Sequence, residues 1–154
     1  MLFVDDYTRW TDVWLLPNKQ AYQAIVGSLM CIALATRPDI SYAVSALSRY
    51  NSRPLASHLT AAKRVLHYLK TTAHHRLHFQ VGEPSGSGDG KLMGYTDSDW
   101  ANDSKDRKSQ GGHVFIIGGG AVSWQSRKQN LVATSTLEAE YIACSEASRE
   151  ARWL

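Results

Sequence analysis

With only two cysteines in 154 residues and no CxxC or Cys/His spacing, the chain has no disulfide framework and no thiolate metal centre. Cys31 and Cys144 each fall in an apolar pattern and are expected as small buried side chains in a reducing compartment. No apolar run approaches the ~18 residues that a membrane span needs, which excludes a membrane helix from the expected partners. The N-terminus MLFVDDYTRW has an aspartate pair where a secretory signal needs a basic start and an apolar run, so an intracellular protein, cytoplasmic or nuclear, is expected. Acidic residues are absent from Ile40 through Gly82, a stretch that carries Arg49, Arg53, Lys63, Arg64, Lys70 and Arg76.

That absence divides the charge. Residues 1–80 hold nine Lys and Arg against four Asp, and residues 81–154 hold eight against ten Asp and Glu, so the net +3 is the difference between a basic half and a slightly acidic one. A long one-signed stretch suits a polyanion, because clustered cations release counterions from phosphates. The plainer reading is a solvated basic face that binds nothing. At 44% hydrophobic and 20% charged, the rest is the composition of an ordinary globular chain, one domain or two small ones.

The pattern predicts an α+β chain in four segments. Residues 1–19 hold two β-rich runs, LFV and WTDVWLL, around the turn-like DDYTR, which predicts a hairpin over Met1–Leu16. Residues 20–80 are helical in period. AYQAIVGSLMCIALA must stop before Pro38, which opens the next helix with Ile40, Ala43, Val44, Leu47 and Tyr50 on its buried stripe. Pro54 ends that helix. A third, from about Ser57, carries Leu59, Ala62, Val65, Leu66 and Leu69 on one face and Lys63, His67 and Lys70 as a basic ridge on another. Residues 81–91, around GEPSGSGDG, read as a linker.

Residues 92–154 predict three strands and a helix. KLMGYTD forms the first strand, with Leu92 to Tyr95 able to be buried. ANDSKDRKSQGG is a polar loop, and GHVFIIGGGAVSWQS gives strand, Gly turn and strand, with LVATS extending the third. Ser135 and Glu138 form an S-x-x-E capping box, and Leu137, Tyr141, Cys144, Ala147 and Trp153 are the expected apolar face of the last helix. If the meander packs against this helix, Asp97 and Glu140 can converge on one metal, as two-metal phosphodiester hydrolysis requires. The alternative reading makes them a turn former and a helix-dipole partner. Trp100 and Trp124 are expected as anchors rather than base-stacking platforms. The H-H-x-x-H of His74, His75 and His78 lacks further soft ligands for zinc.

Four words in residues 94–154 resemble the RNase H domain of copia-type retrotransposon Pol polyproteins: Y-T-D-S-D-W-A, D-R-K-S, S-W-x-S-x-K-Q and S-T-x-E-A-E-Y-I-A. The resemblance implies a ribonuclease H-like fold that cuts the RNA strand of an RNA–DNA hybrid with Mg²⁺. Asp97 would match the first catalytic aspartate and Glu140 the catalytic glutamate. Asp99, Asp103 and Asp106 would be turn residues and solvated charges. AYQAIVGSLM, ATRPDISYAVSALSRY and HLTAAKRVLHYLKTT are similar to the stretch of the same Pol that links reverse transcriptase to RNase H. FVDDYTRWTDVWLL resembles a strand pair of the copia-type integrase core, in which Asp5 and Asp6 are turn residues.

The expected architecture is therefore a helical connection followed by a partial ribonuclease H-like fold of three antiparallel strands and a first helix. The family continues into a strand with a third aspartate and then a fourth carboxylate, so this chain is expected to hold Mg²⁺ weakly or not at all and to be inactive alone. Lys63, Arg64, Lys70, Arg127 and Lys128 are the expected nucleic-acid contacts. The first strand, lacking a neighbour, is an edge through which copies could associate. The competing expectations are a non-catalytic basic binding module and a decayed reading frame without function.

Overall fold

A computed structural model of the protein describes residues 19–79, 91–103 and 106–154. The hairpin expected over Met1–Leu16 lies outside these residues, as does the linker except for Lys91. The helical half runs α1 (Lys19–Ala35), a 3-10 turn (Pro38–Ile40), α2 (Ser41–Ser48) and α3 (Ala56–Thr71). Pro38 sets the first boundary. Arg37 before it is pushed to extended angles, φ −127° and ψ 74°, and the freed Thr36 and Arg37 amides both donate to Ile32 O at 3.1 Å. The start of α3 is held by the Leu55 amide donating to His58 Nδ1 at 3.1 Å.

Every fourth or third residue of α1 turns inward. Tyr22, Ile25, Val26, Leu29 and Ala33 meet Ile40, Val44 and Leu47 and, from α3, Ala62 in one apolar core. Val26 and Leu29 are wholly buried, each stabilising by roughly 1.5–3 kcal/mol relative to exposure. The Tyr22 hydroxyl, inside this core, donates to Leu47 O at 2.8 Å. A second tie is polar: Arg37, 8% exposed, donates through Nη2 to Asp39 Oδ2 at 2.7 Å and to Thr72 Oγ1 at 2.6 Å. Tyr68 donates to the same Asp39 oxygen at 2.9 Å. The words RPD and KTT are thus joined into one clamp between the end of α1 and the end of α3. Arg37's hydrogen bond holds the Asp39 carboxyl below the ordinary carboxylate range, against burial.

The sheet half has β1 (Met93–Asp99), β2 (Gln110–Ile117) and β3 (Gly120–Lys128), antiparallel in the order β1-β2-β3, followed by α4 (Thr136–Ala151). Gly118 and Gly119, φ +57° and +76°, make the two-residue hairpin that positive φ angles allow. LVATS does not extend β3, which ends at Lys128. Nor is the loop before β2 wholly polar surface: Ser109, Gln110 and Gly111 are buried, Ser109 Oγ accepting the Ala101 amide at 3.2 Å. The capping box is half formed. Ser135 Oγ accepts from the Glu138 amide, but Glu138 reaches past the cap to Thr134, accepting its amide at 2.6 Å and its hydroxyl at 2.7 Å.

The two faces of the sheet are covered by different partners. Gly111 looks at Ala143 of α4: a Cβ there would meet the Ala143 methyl at 3.7 Å. Ser123, on the same face, donates to Glu150 at 2.6 Å. On the opposite face the Trp124 indole donates to Ala33 O of α1 at 2.8 Å. The sheet is therefore the middle layer between α4 and the helical half.

The inward stripe of α4 corrects the sequence expectation. Ala139, Ala143 and Ala147 are buried, whereas Leu137, Tyr141 and Trp153 are 78%, 76% and 80% exposed. The glycines of the sheet bring the helix too close for large side chains, so the alanine stripe wins over the more apolar one. Cys144, one step round the helix from Ala143, is exposed with Cys31; each lies just off its helix's buried stripe. Leu92 to Tyr95 are exposed as well, because β1 is an edge. Among the described residues no helix is long and apolar enough to cross a membrane.

Candidate nucleic-acid and metal site

β1 and α4 carry the two carboxylates singled out from the sequence. Asp97 is the fifth residue of β1, paired with Gly112, and Glu140 lies one turn into α4. Both are exposed. The register decides whether they meet. Ser98 pairs with Gly111, which faces α4, so by strand alternation Asp97 and Gly112 leave on the other face. That is the face of Gln110 and Trp124, turned to the helical half.

Glu140 lies on the helix that covers the other face, next to the edge strand that carries Asp97. Among the described residues no group of three or more His, Cys, Asp or Glu is placed to hold a metal, the triplet His74, His75 and His78 included. Mg²⁺ demands near-octahedral oxygen coordination, and two exposed carboxylates with no third ligand among the described residues do not supply it. The residues present do not fit the metal, and no catalytic step follows from them.

Of the three aspartates expected as turn residues and solvated charges, Asp99 and Asp106 are exposed and Asp103 differs. Asp103 has a side chain only 12% exposed and binds Lys128 Nζ at 2.5 Å and Arg49 Nη1 at 3.2 Å. Lys128 also holds Asp106 at 2.7 Å. Burial pulls the Lys128 ammonium down, but the hydrogen bonds it donates to Asp103 and Asp106 outweigh this and raise it above the ordinary lysine value. Lys128, expected to meet phosphate, is thus engaged by two carboxylates. Asp99 accepts from Asn102 at 2.5 Å.

The remaining expected contacts are on the surface. Arg64, Lys70 and Arg127 are exposed and Lys63 is half-buried. Residues Lys63, Arg64, His67 and Lys70 share α3 without an acidic neighbour on that helix. The two tryptophans serve as anchors, as expected: the Trp100 indole donates to Ala133 O at 3.1 Å and Trp124 to α1.

Two buried polar residues went unread in the sequence. Gln129, 2% exposed, donates through Nε2 to Ala139 O at 2.9 Å, and its amide donates to Ser109 O at 2.9 Å. The final letters of D-R-K-S and S-W-x-S-x-K-Q thus form a strut that fixes the start of α4 on the sheet. The signal was available: a Gln closing a strand, beside a helix-capping Ser, is a buried hydrogen-bonding position as readily as a surface one. His113, on the α4 face of β2, is pushed below the ordinary histidine value by burial, with Glu150 and Glu146 opposing.

Comparison with known proteins gives related chains. "Secreted RxLR effector protein 161" of Plasmopara viticola is 46% identical over 133 residues, 86% of this chain and 90% of the effector. The retrovirus-related Pol polyprotein from transposon TNT 1-94 of Nicotiana tabacum is 46% identical over 136 residues, 88% of this chain but 10% of the polyprotein. The corresponding polyprotein from transposon RE2 of Arabidopsis thaliana is 41% identical over 139 residues, 90% of this chain and 9% of its own length. This chain thus spans about a tenth of the Pol polyproteins it matches. No protein-family model and no solved structure matches it.

Proposed function

This chain belongs to the copia-type retrotransposon Pol family, and on that premise we propose that it is the part of Pol where the helical connection after reverse transcriptase runs into the RNase H domain. One observation carries the reading. A three-stranded antiparallel meander leads into a capped helix packed on it, with Asp97 within β1 and Glu140 one turn into α4. Residues 1–19, with their integrase-like words, come from another part of the polyprotein.

In the parent domain Asp97 and Glu140 are two of the carboxylates that would serve Mg²⁺-dependent hydrolysis of RNA in an RNA–DNA hybrid. In this polypeptide they have no third ligand among the described residues, which supports weak holding of Mg²⁺. What remains is contact with a phosphate backbone through α3, where Arg64 and Lys70 project and Lys63 lies beside them.

The test uses the purified 154-residue protein and a labelled RNA–DNA hybrid with Mg²⁺. Cleavage should not exceed that of Asp97→Asn or Glu140→Gln, while binding should weaken steeply with salt. Replacing Lys63, Arg64 and Lys70 by Ala should flatten the slope of log K against log salt by ~2–3, each phosphate contact contributing about 0.9. Robust cleavage abolished by Asp97→Asn would overturn the inactive reading, and an unchanged slope would remove α3 from the interface.

The coverage of the effector favours a second reading, in which a fold of this size acts outside any polyprotein. A chain that is monomeric and unfolds cooperatively by itself would support that reading, and one that is soluble only when fused to further Pol sequence would oppose it.

A further inference from the structure

The seam between the helical half and the sheet is unlike either interior. The main apolar core consists entirely of helical-half residues, from Tyr22 to Leu69. Across the seam run hydrogen bonds and an ion pair. Trp124 donates to Ala33 O at 2.8 Å, and Gln110 Nε2 reaches Ser45 Oγ at 3.5 Å while a 3.0 Å bond to Ser126 Oγ holds it within the sheet. Arg49, just past the end of α2, donates to Gln110 Oε1 and pairs with Asp103. A cleft of about 260 Å³, open to solvent, remains where the layers meet, lined by Met30, Leu34, Ser41, Val44, Trp124 and Arg127. The Ser41 hydroxyl is buried with no hydrogen-bond partner.

Charge runs in one direction across this joint. The basic half contributes Arg49, and the acidic half contributes Asp103 through a side chain only 12% exposed. Lys128 binds the same Asp103 oxygen from β3, so the carboxylate is held in place on the sheet while it receives the arginine. Removing one member of a partly buried ion cluster costs more than removing a fully exposed pair, because the remaining charges lose their partner.

We propose that Asp103 is a latch that holds the helical half on the sheet across an incompletely filled seam, and that releasing it lets the two bodies hinge without unfolding either. The basic ridge of α3 and the carboxylate of β1 belong to different bodies, so the latch fixes their relative placement. The inference stands apart from any nuclease reading, since it concerns only how the two halves are joined.

Hydroxyl-radical footprinting of the whole protein, read by mass spectrometry, tests it. Asp103→Asn, which keeps the shape and removes the charge, should raise oxidation of the seam side chains Met30 and Trp124 severalfold. Tyr22 and Phe115, inside each body, should not change. Arg49→Gln should give the same map. Raising NaCl from about 50 mM to about 500 mM should move the wild type toward the variants and leave the variants nearly unaffected, since salt screens partly exposed pairs. Unchanged labelling of Met30 and Trp124 in both variants would overturn the latch. So would a rise that includes Tyr22 and Phe115 equally, because Asp103 would then hold up the fold as a whole.

Discussion

The two halves of this protein solve the same packing problem by opposite means. The helical half fills space with large side chains: Tyr22, Val26, Leu29 and Val44 are all 2% exposed or less. The sheet half removes space with small ones, setting Ala139, Ala143 and Ala147 against a strand that carries Gly111. Volume-filling cores gain from buried area, whereas close approach gains from dispersion and from the polar strut of Gln129 and Ser109. The difference explains why α4 leaves Leu137 and Tyr141 outside, and why amphipathic pattern guides the reader well in one half and badly in the other.

The largest expected effect falls in the volume-filled half. Leu29→Ala should cost about 3 kcal/mol in denaturant unfolding, the transfer and cavity loss of a wholly buried leucine. A loss below about 1 kcal/mol would mean that the helical core collapses around the gap and is less rigidly packed than the comparison claims.

In the close-approach half the sensitive change is an addition. A Cβ at Gly94 would lie 2.4 Å from the Phe115 ring, so Gly94→Ala should cost about 1–3 kcal/mol as the ring is displaced. Gly111→Ala, whose Cβ would find ordinary contacts at 3.5–3.7 Å, is the matched control and should be much milder. Equal losses would show that strand propensity, not approach distance, governs both sites.

A smaller effect tests the start of α4. Ser135→Ala removes the side chain that accepts the Glu138 amide and should cost about 1 kcal/mol by thermal or chemical melting. No loss would mean that the Thr134–Glu138 pair caps the helix unaided.

The smallest effect is a pH dependence confined to the sheet half. Burial lowers the His113 value in the fold, so the unfolded chain takes up the proton first. Stability from the neutral imidazole is full above the ordinary histidine value, and it declines as pH falls through that value toward the depressed native one. His113→Asn should flatten the stability profile in that window. Asp39 has the opposite chemistry and a lower window. Its depressed carboxyl stabilises above the ordinary carboxylate value, and this is lost only as pH falls through the native one. A profile near neutrality that survives His113→Asn would assign the titration elsewhere.

Much was legible in the residues themselves. Pro38 and Pro54 placed the breaks between helices, the stripe Ile40, Val44 and Leu47 proved to be core, and Gly118–Gly119 marked the hairpin. The candidate site was legible as letters but not as geometry. The words around Asp97 and Glu140 point to a family, yet whether a strand carboxylate and a helix carboxylate share a face depends on register. Shifting a strand by one residue exchanges its faces. The role of Asp103 was equally hidden, because its partners Arg49 and Lys128 are remote in sequence and only packing brings them to one oxygen.

The sequence by itself determined the order of elements, the basic and acidic halves and the family, because these follow from local propensity, composition and the words the chain shares with its relatives. Only the tertiary structure decided which stripe of α4 is buried, which face of the sheet carries Asp97 and which charges are engaged. Each of those depends on what lies opposite. A leucine stripe turns outward when the facing strand is glycine, and an aspartate becomes a joint when an arginine from another layer reaches it. Periodicity specifies that a face is available, and the shape and charge of the neighbouring layer select the one that is used.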